Sequence, residues 1–62
     1  MMITARQLVI PWPDTVPASR LRALVLARIR VQAEPLRWAV TAVEQTVDGS
    51  RRQLVVEAVF NA

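Results

Sequence analysis

Apolar and polar residues alternate most regularly in the second half of the chain, over residues 36–47 and 51–60. A period of two is typical of β-strands that are buried on one face. The intervening Asp48-Gly49-Ser50 contains the sole glycine of the chain, and glycine tolerates the positive φ that tight hairpin turns require. We therefore predict a β-hairpin.

The length of the hairpin loop decides which side chains share a face. A two-residue loop would place Val40 opposite Glu57, which puts a carboxylate on the more apolar face. A three-residue loop places Val40 opposite Ala58 instead, and this is the register we predict. Its apolar face then consists of Trp38, Val40, Ala42, Leu54, Val56, Ala58 and Phe60.

The first half of the chain predicts a strand, a loop and a helix. Residues 3–10 predict a strand, because they end in the β-branched pair Val9-Ile10. The prolines within residues 11–17 predict a loop, because each proline restricts its own backbone and that of the residue before it. Ala, Leu and Arg dominate 18–30, and Pro17 stands where a first-turn proline belongs, which predicts a helix. The alternative is a partial strand within 20–33, where apolar residues also alternate.

Together these elements predict an α+β fold with the order β-α-β-β. Residues 1–62 are too few for more than one domain. The helix packs on one face of a three-stranded, mainly antiparallel sheet, which becomes wholly antiparallel if the first strand lies beside the last.

One short helix leaves the other face of that sheet uncovered. In the predicted register this face carries four small apolar residues: Ala39, Val43, Val55 and Val59. We interpret them as an association face for a second copy of the chain or for another protein. The alternative is that scattered aliphatic side chains on a wet face need no partner.

Composition narrows the chemistry that the chain can perform. Hydrophobic residues make up 53% of the chain, and Cys, His, Lys and Tyr are absent. Most metal ligands, the thiol nucleophile and the neutral-pH proton shuttle are therefore missing. In the predicted register Glu44 and Glu57 point to opposite faces and form no catalytic pair. We expect no enzyme activity, cofactor, metal or small-molecule ligand.

The charge of the chain raises nucleic-acid binding as an alternative function. Eight arginines against five acidic residues give a formal charge of +3. Arg51 and Arg52 follow the predicted turn, where they could contact phosphates of RNA or DNA. The competing interpretation is that the exclusive use of arginine reflects coding bias.

Trp12 lies between Pro11 and Pro13, which hold its backbone extended at low entropic cost. The side chain could dock into a partner protein. The interpretation we favour is that it folds back and caps the apolar core.

The sequence also predicts a cytoplasmic protein. Cysteine is absent, as suits a reducing compartment, and the N-terminal residues lack the pattern of a signal peptide. The longest apolar run is 23–27, which is far shorter than the ~20 residues of a membrane span.

Overall fold

The last strand of the chain forms the centre of the sheet. The computed structural model describes residues 2–61. Its elements are β1 (Ile3–Trp12), a 3₁₀ turn (Ala18–Arg20), α1 (Leu21–Arg30), β2 (Pro35–Gln45) and β3 (Arg52–Asn61). The strand order is β1-β3-β2, and both neighbours run antiparallel to β3. The predicted α+β fold and its β-α-β-β order are confirmed.

β3 occupies the centre because its side chains are apolar towards both faces. Leu54, Val56, Ala58 and Phe60 point to one face and are buried, and Val55 on the other face is also buried. A central strand has neighbours on both sides, so its side chains are shielded from water more completely than those of an edge strand. β1 and β2 are the edges and expose most of their residues.

β1 is longer than the predicted strand, which ended at residue 10. It continues through Pro11 to Trp12, which lies opposite Arg52. An edge strand hydrogen-bonds on one side only, so a proline whose missing N–H faces away from the sheet costs it nothing. The predicted loop of residues 11–17 is therefore shortened to the segment after Trp12.

The helical interpretation of residues 18–30 is correct in outline, with a first 3₁₀ turn leading into α1. Leu21, Val25 and Ile29 recur every four residues and face the sheet, and the last two are fully buried. Residues 31–33 are not extended, because the backbone N–H groups of 32 and 33 donate to the Ile29 carbonyl at 3.0 and 3.3 Å.

The core lies between α1 and the face of the sheet that α1 covers, which we call the helix face. Its buried members are Ile10, Val25, Ile29, Leu54, Val56, Ala58 and Phe60. Four partly buried side chains pack around them: Leu8, Trp12, Leu21 and Trp38. Five of the seven hairpin residues predicted to be apolar on one face contribute to the core. The exceptions are Val40, which lies on the helix face but is 43% exposed, and Ala42, which lies on the other face.

The hairpin loop has four residues, not three. The Thr46 N–H donates to the Arg51 carbonyl at 3.0 Å and closes the loop of residues 47–50. Within it, the Gly49 N–H donates to the Thr46 carbonyl at 2.8 Å, and Gly49 has the positive φ of 72° that its lack of a side chain permits. The sequence correctly indicated Asp48-Gly49-Ser50 as turn residues, but it did not indicate that Thr46 and Arg51 close the loop.

A β-bulge at Thr41 reverses the faces of β2 between residues 37–40 and 42–45, and a second register shift lies at Leu36. Before the bulge, Val40 lies opposite Val56, two residues from the predicted partner Ala58. A shift of two keeps a side chain on its predicted face, whereas one extra residue reverses every position after it. Beyond Thr41, Ala42 therefore lies opposite Val55, and Val43 lies opposite Leu54 on the helix face.

The burial of Ile29 predicts a large loss of stability on truncation. Ile29→Ala should lower the free energy of unfolding by about 2–5 kcal/mol, because it removes buried methyl groups and leaves a cavity. Val31→Ala, at a side chain that is 83% exposed, should change it by less than about 0.5 kcal/mol. Urea unfolding at one fixed protein concentration measures both, and equal effects would contradict the assigned core.

The hairpin loop also predicts a pH dependence, because Asp48 accepts three hydrogen bonds on one oxygen. The Thr46 hydroxyl, the Ser50 N–H and the Ser50 hydroxyl donate to its Oδ1 at 2.6, 3.0 and 2.8 Å. These bonds favour the carboxylate and lower the pKa of Asp48 from 3.8 to about 2. A lowered folded-state pKa stabilises the fold above pH 3.8, and this contribution is lost as the pH falls through about 2.

Thermal unfolding of wild type and Asp48→Ala between pH 7 and pH 2 tests this pH dependence. We expect the wild type to have the higher Tm at neutral pH and its advantage to shrink below pH 3.8. Asp48→Asn is the control, because it retains an oxygen acceptor but does not titrate. If the Tm changes with pH in the same way for wild type and Asp48→Asn across this range, Asp48 has no lowered pKa.

Candidate functional sites

The face of the sheet opposite α1, which we call the open face, has no covering element among residues 2–61. Its apolar side chains come from all three strands, and its polar ones lie among them. The apolar members are Ile3, Ala5, Val9, Pro11, Ala39, Ala42, Val55 and Val59. The polar members are Gln7, Arg37, Glu44, Gln53, Glu57 and Asn61.

Three of the four predicted association residues lie together on this open face. They are Ala39, Val55 and Val59. Val43 does not join them, because the bulge at Thr41 turns it to the helix face, where it is 55% exposed. Ala42 takes the position that the predicted register assigned to Val43. No feature of the sequence marks Thr41 as a bulge, so an unbroken alternation was the simpler prediction.

β1 contributes the part of the open face that sequence reasoning missed. Val9 lies directly opposite Val55 and is 58% exposed, and Ala5 lies opposite Val59. Val55 itself is only 7% exposed, because it lies between Val9 on one edge strand and Ala42 on the other. The pairing of β1 with β3 was needed to place these side chains together.

Charges of both signs lie within this apolar surface. Arg37 lies opposite Val59 and Glu57 opposite Ala39, so the two are diagonal neighbours. Both are exposed, and within residues 2–61 the ion pair that the structure contains is Arg30–Glu34, on the other side of the molecule. Arg37 and Glu57 are therefore available to a partner.

The molecule exposes more surface than a compact monomer of its mass. Its accessible surface is 4681 Å², whereas a 7.0 kDa globular monomer is expected to expose about 4,000 Å². The radius of gyration is 12.5 Å against about 10.6 Å for a compact chain of this length. The dimensions of 43 × 22 × 15 Å explain the excess, since the molecule is long and has only two layers, one sheet and one helix.

Trp12 caps the end of the core, as the favoured interpretation proposed. It is partly buried against the core, and its Nε1–H donates to the Val16 carbonyl at 2.7 Å. The guanidinium carbon of Arg52 lies 3.7 Å from the centre of its ring. One edge of the indole thus contacts Val16 and one face contacts Arg52, which leaves little of Trp12 for a docking partner.

The contact between Trp12 and Arg52 joins two segments that lie far apart in the sequence. Trp12, Arg51 and Arg52 line one cleft of about 450 Å³ between the end of β1 and the hairpin loop. The rest of the lining is Pro11, Pro13, Asp14, Thr46, Ser50 and Gln53. The antiparallel pairing of Trp12 with Arg52 brings these distant segments of the chain together.

Arginine is distributed unevenly over the two sides of the molecule. Six of the eight arginines lie on α1, on its preceding turn or on the helix face: Arg6, Arg20, Arg22, Arg28, Arg30 and Arg52. The carboxylates on that side are Glu34, which pairs with Arg30 at 3.0 Å, and Asp14 in the loop. The helix side is therefore basic, whereas the open face carries Glu44 and Glu57 beside Arg37.

The carboxylates of the sheet do not form a catalytic pair. Glu44 and Glu57 share the open face, contrary to the predicted register, because the bulge reverses Glu44. Glu44 lies opposite Gln53 of β3, which is four positions from Glu57, or about 13 Å along the strand. Glu44 also accepts a hydrogen bond from the Gln53 amide at 3.3 Å. Within residues 2–61, no three metal-binding side chains lie close enough to hold an ion.

α1 is the one α-helix of residues 2–61, and it is too short to cross a membrane.

The role of Trp12 as a cap predicts that its loss destabilises the monomer. Trp12→Ala should lower the free energy of unfolding by about 2 kcal/mol, less than the ~3–5 kcal/mol of a fully buried aromatic residue. Trp12→Phe should cost about 1 kcal/mol, because it keeps a ring but loses the hydrogen bond to Val16. Denaturant unfolding measures both, and an unchanged Trp12→Ala would show that Trp12 is free to dock elsewhere.

Comparison with known proteins identifies a family for this chain. The chain has no significant match among curated proteins or solved structures. A family model described as a domain of unknown function, DUF8621, matches residues 4–61, which span all three strands and the helix. The match covers nearly the whole chain, and the protein therefore belongs to the DUF8621 family.

Proposed function

We propose that this protein is a non-enzymatic interaction module that forms a homodimer through its open face. The observation that carries the proposal is that the uncovered face of the sheet carries apolar side chains from all three strands. Exposed apolar side chains that lie together on one face are typical of association sites. The absence of cysteine agrees with a cytoplasmic, reducing setting for such a protein.

A second copy of the chain suits the charges of this surface. A two-fold axis that passes between Arg37 and Glu57 would set Arg37 of one protomer near Glu57 of the other, and would do so twice. Each protomer thus supplies both the cation and the anion. A partner of different sequence would need the complementary pattern, whereas a second copy has it by symmetry.

The surplus accessible surface of the whole molecule is of the size that a dimer buries. The surplus surface of roughly 600–700 Å² per chain approaches the ~800 Å² per partner of a standard protein interface. Two sheets that pack face to face lie about 10 Å apart, so a dimer would become a four-layer molecule with the helices outside. The two basic helix sides would then face solvent.

A matched pair of substitutions tests the dimer. Val9 on the open face is 58% exposed and Val43 on the helix face is 55% exposed, so the same change to Glu is equally tolerable to each monomer. Val9→Glu should weaken dimerisation at least about 100-fold, because symmetry buries the unpaired charge twice. Val43→Glu should weaken it less than about threefold. Light scattering on a size-exclusion column across a concentration series gives both values.

A charge-reversal pair tests the same interface without changing its apolar area. Arg37→Glu should weaken the dimer, because it opposes two carboxylates across the two-fold axis. Adding Glu57→Arg to Arg37→Glu should restore most of the lost affinity.

The molecular mass of the wild type decides whether the proposal stands. A mass near 14 kDa, twice that of one chain, supports it. A wild-type mass of 7.0 kDa at high protein concentration overturns the homodimer. Equal loss of association with Val9→Glu and Val43→Glu would show that the dimer uses another surface.

A further inference from the structure

We infer that the cleft lined by Trp12, Arg51 and Arg52 binds single-stranded nucleic acid, with Arg52 stacking on a base and Arg51 contacting a phosphate. This inference does not depend on the proposed dimer, because one protomer supplies the whole cleft. The cleft volume of about 450 Å³ lies within the range of small ligand sites and accommodates a nucleotide.

Arg52 is held in place before any ligand arrives. Its guanidinium lies 3.7 Å from the ring centre of Trp12, and Trp12 is itself fixed by the hydrogen bond to Val16. A guanidinium that is already ordered loses less entropy on binding than a free one. The plane of a guanidinium accepts a stacked base, so base, Arg52 and Trp12 can form three successive layers.

Both arginines are available for an anionic ligand. Neither lies within 4.0 Å of a carboxylate oxygen in the part of the chain that the structure describes. Asp48, the acid of the neighbouring loop, has its Oδ1 engaged by Thr46 and Ser50. Asp14 does line the cleft, and its charge is outweighed by the two guanidinium groups.

The chemistry of the site favours a single strand over a duplex. A base can reach Arg52 only if it is unstacked from its neighbours, which a single strand allows at low cost. The remaining arginines of the helix side supply a positive field that attracts the backbone without reading its sequence. This field acts on any polyanion, so the test must separate it from binding in the cleft.

The test compares two arginines that both lie over a tryptophan ring. Arg52 faces Trp12 in the cleft, whereas the guanidinium carbon of Arg22 lies 5.3 Å from the ring centre of Trp38 outside it. Arg52→Gln and Arg22→Gln remove the same charge. Fluorescence anisotropy with labelled oligouridine and oligothymidine of about 12 nucleotides measures the affinity of each variant at low and near-physiological salt.

We expect Arg52→Gln to weaken binding about tenfold or more, since it removes both a stacking surface and a charge. Arg22→Gln should weaken it less than about threefold. Arg52→Lys keeps the charge but loses the planar guanidinium, and should also fall clearly below the wild type. Circular dichroism confirms that each variant is folded before its affinity is compared.

Three results would overturn the inference. The first is the absence of oligonucleotide binding by the wild type at low salt. The second is an equal loss with Arg52→Gln and Arg22→Gln, or full affinity of Arg52→Lys, because general electrostatics would then explain the binding. The third is displacement of the strand by inorganic phosphate when chloride at the same ionic strength does not displace it. The site would then bind the phosphate group alone.

Discussion

The structure depends on the burial of one central strand that is apolar on both of its faces. β3 buries Leu54, Val56, Ala58 and Phe60 against α1, and it buries Val55 on the opposite side. A single helix of ten residues covers only the first of these faces. The fold thus satisfies its core on one side and leaves a second apolar surface, which explains both its large accessible area and the proposal that a second copy covers it.

The β-bulge at Thr41 determines the composition of that second surface. With the extra residue at Thr41, Ala42 moves to the open face and Val43 to the helix face. The Thr41 hydroxyl donates to the Val55 carbonyl at 3.2 Å, which links the bulge to the central strand. Bulges on edge strands also twist the edge and discourage a further strand from adding there. The same residue therefore shapes the open face and protects the edge beside it.

The two proposed interactions meet at Gln53, which lies on the open face and also lines the cleft, but they use different forces. The open face offers apolar area around Arg37, Glu44 and Glu57, and burial of the apolar part depends little on salt. The Trp12–Arg52 cleft and the helix side offer positive charge, and binding there weakens as salt rises. A dimer joined through the open faces would display two such clefts, and a strand that reached both would gain affinity from their effective concentration.

Local signals in the sequence were sufficient for the order of the elements. The alternation in the hairpin, the turn at Gly49, the prolines after β1 and the residue types of α1 each act over a few positions, and they predict the β-α-β-β order. They also identify most of the core, because an error of two residues in strand register leaves each side chain on the same face. The sequence also predicted an uncovered sheet face that could serve for association, because one helix covers only one side of a sheet.

Tertiary structure decided the features that depend on strands meeting. The bulge at Thr41, the placement of Val9 beside Val55 and the contact of Trp12 with Arg52 each require a pairing between distant segments. Side chains of a strand alternate between two faces, so one inserted residue moves every later side chain to the opposite face. A single sequence contains no signal for where that insertion falls. The sequence alone thus determined which elements form and which strand is most apolar, whereas the composition of each surface was set by long-range register.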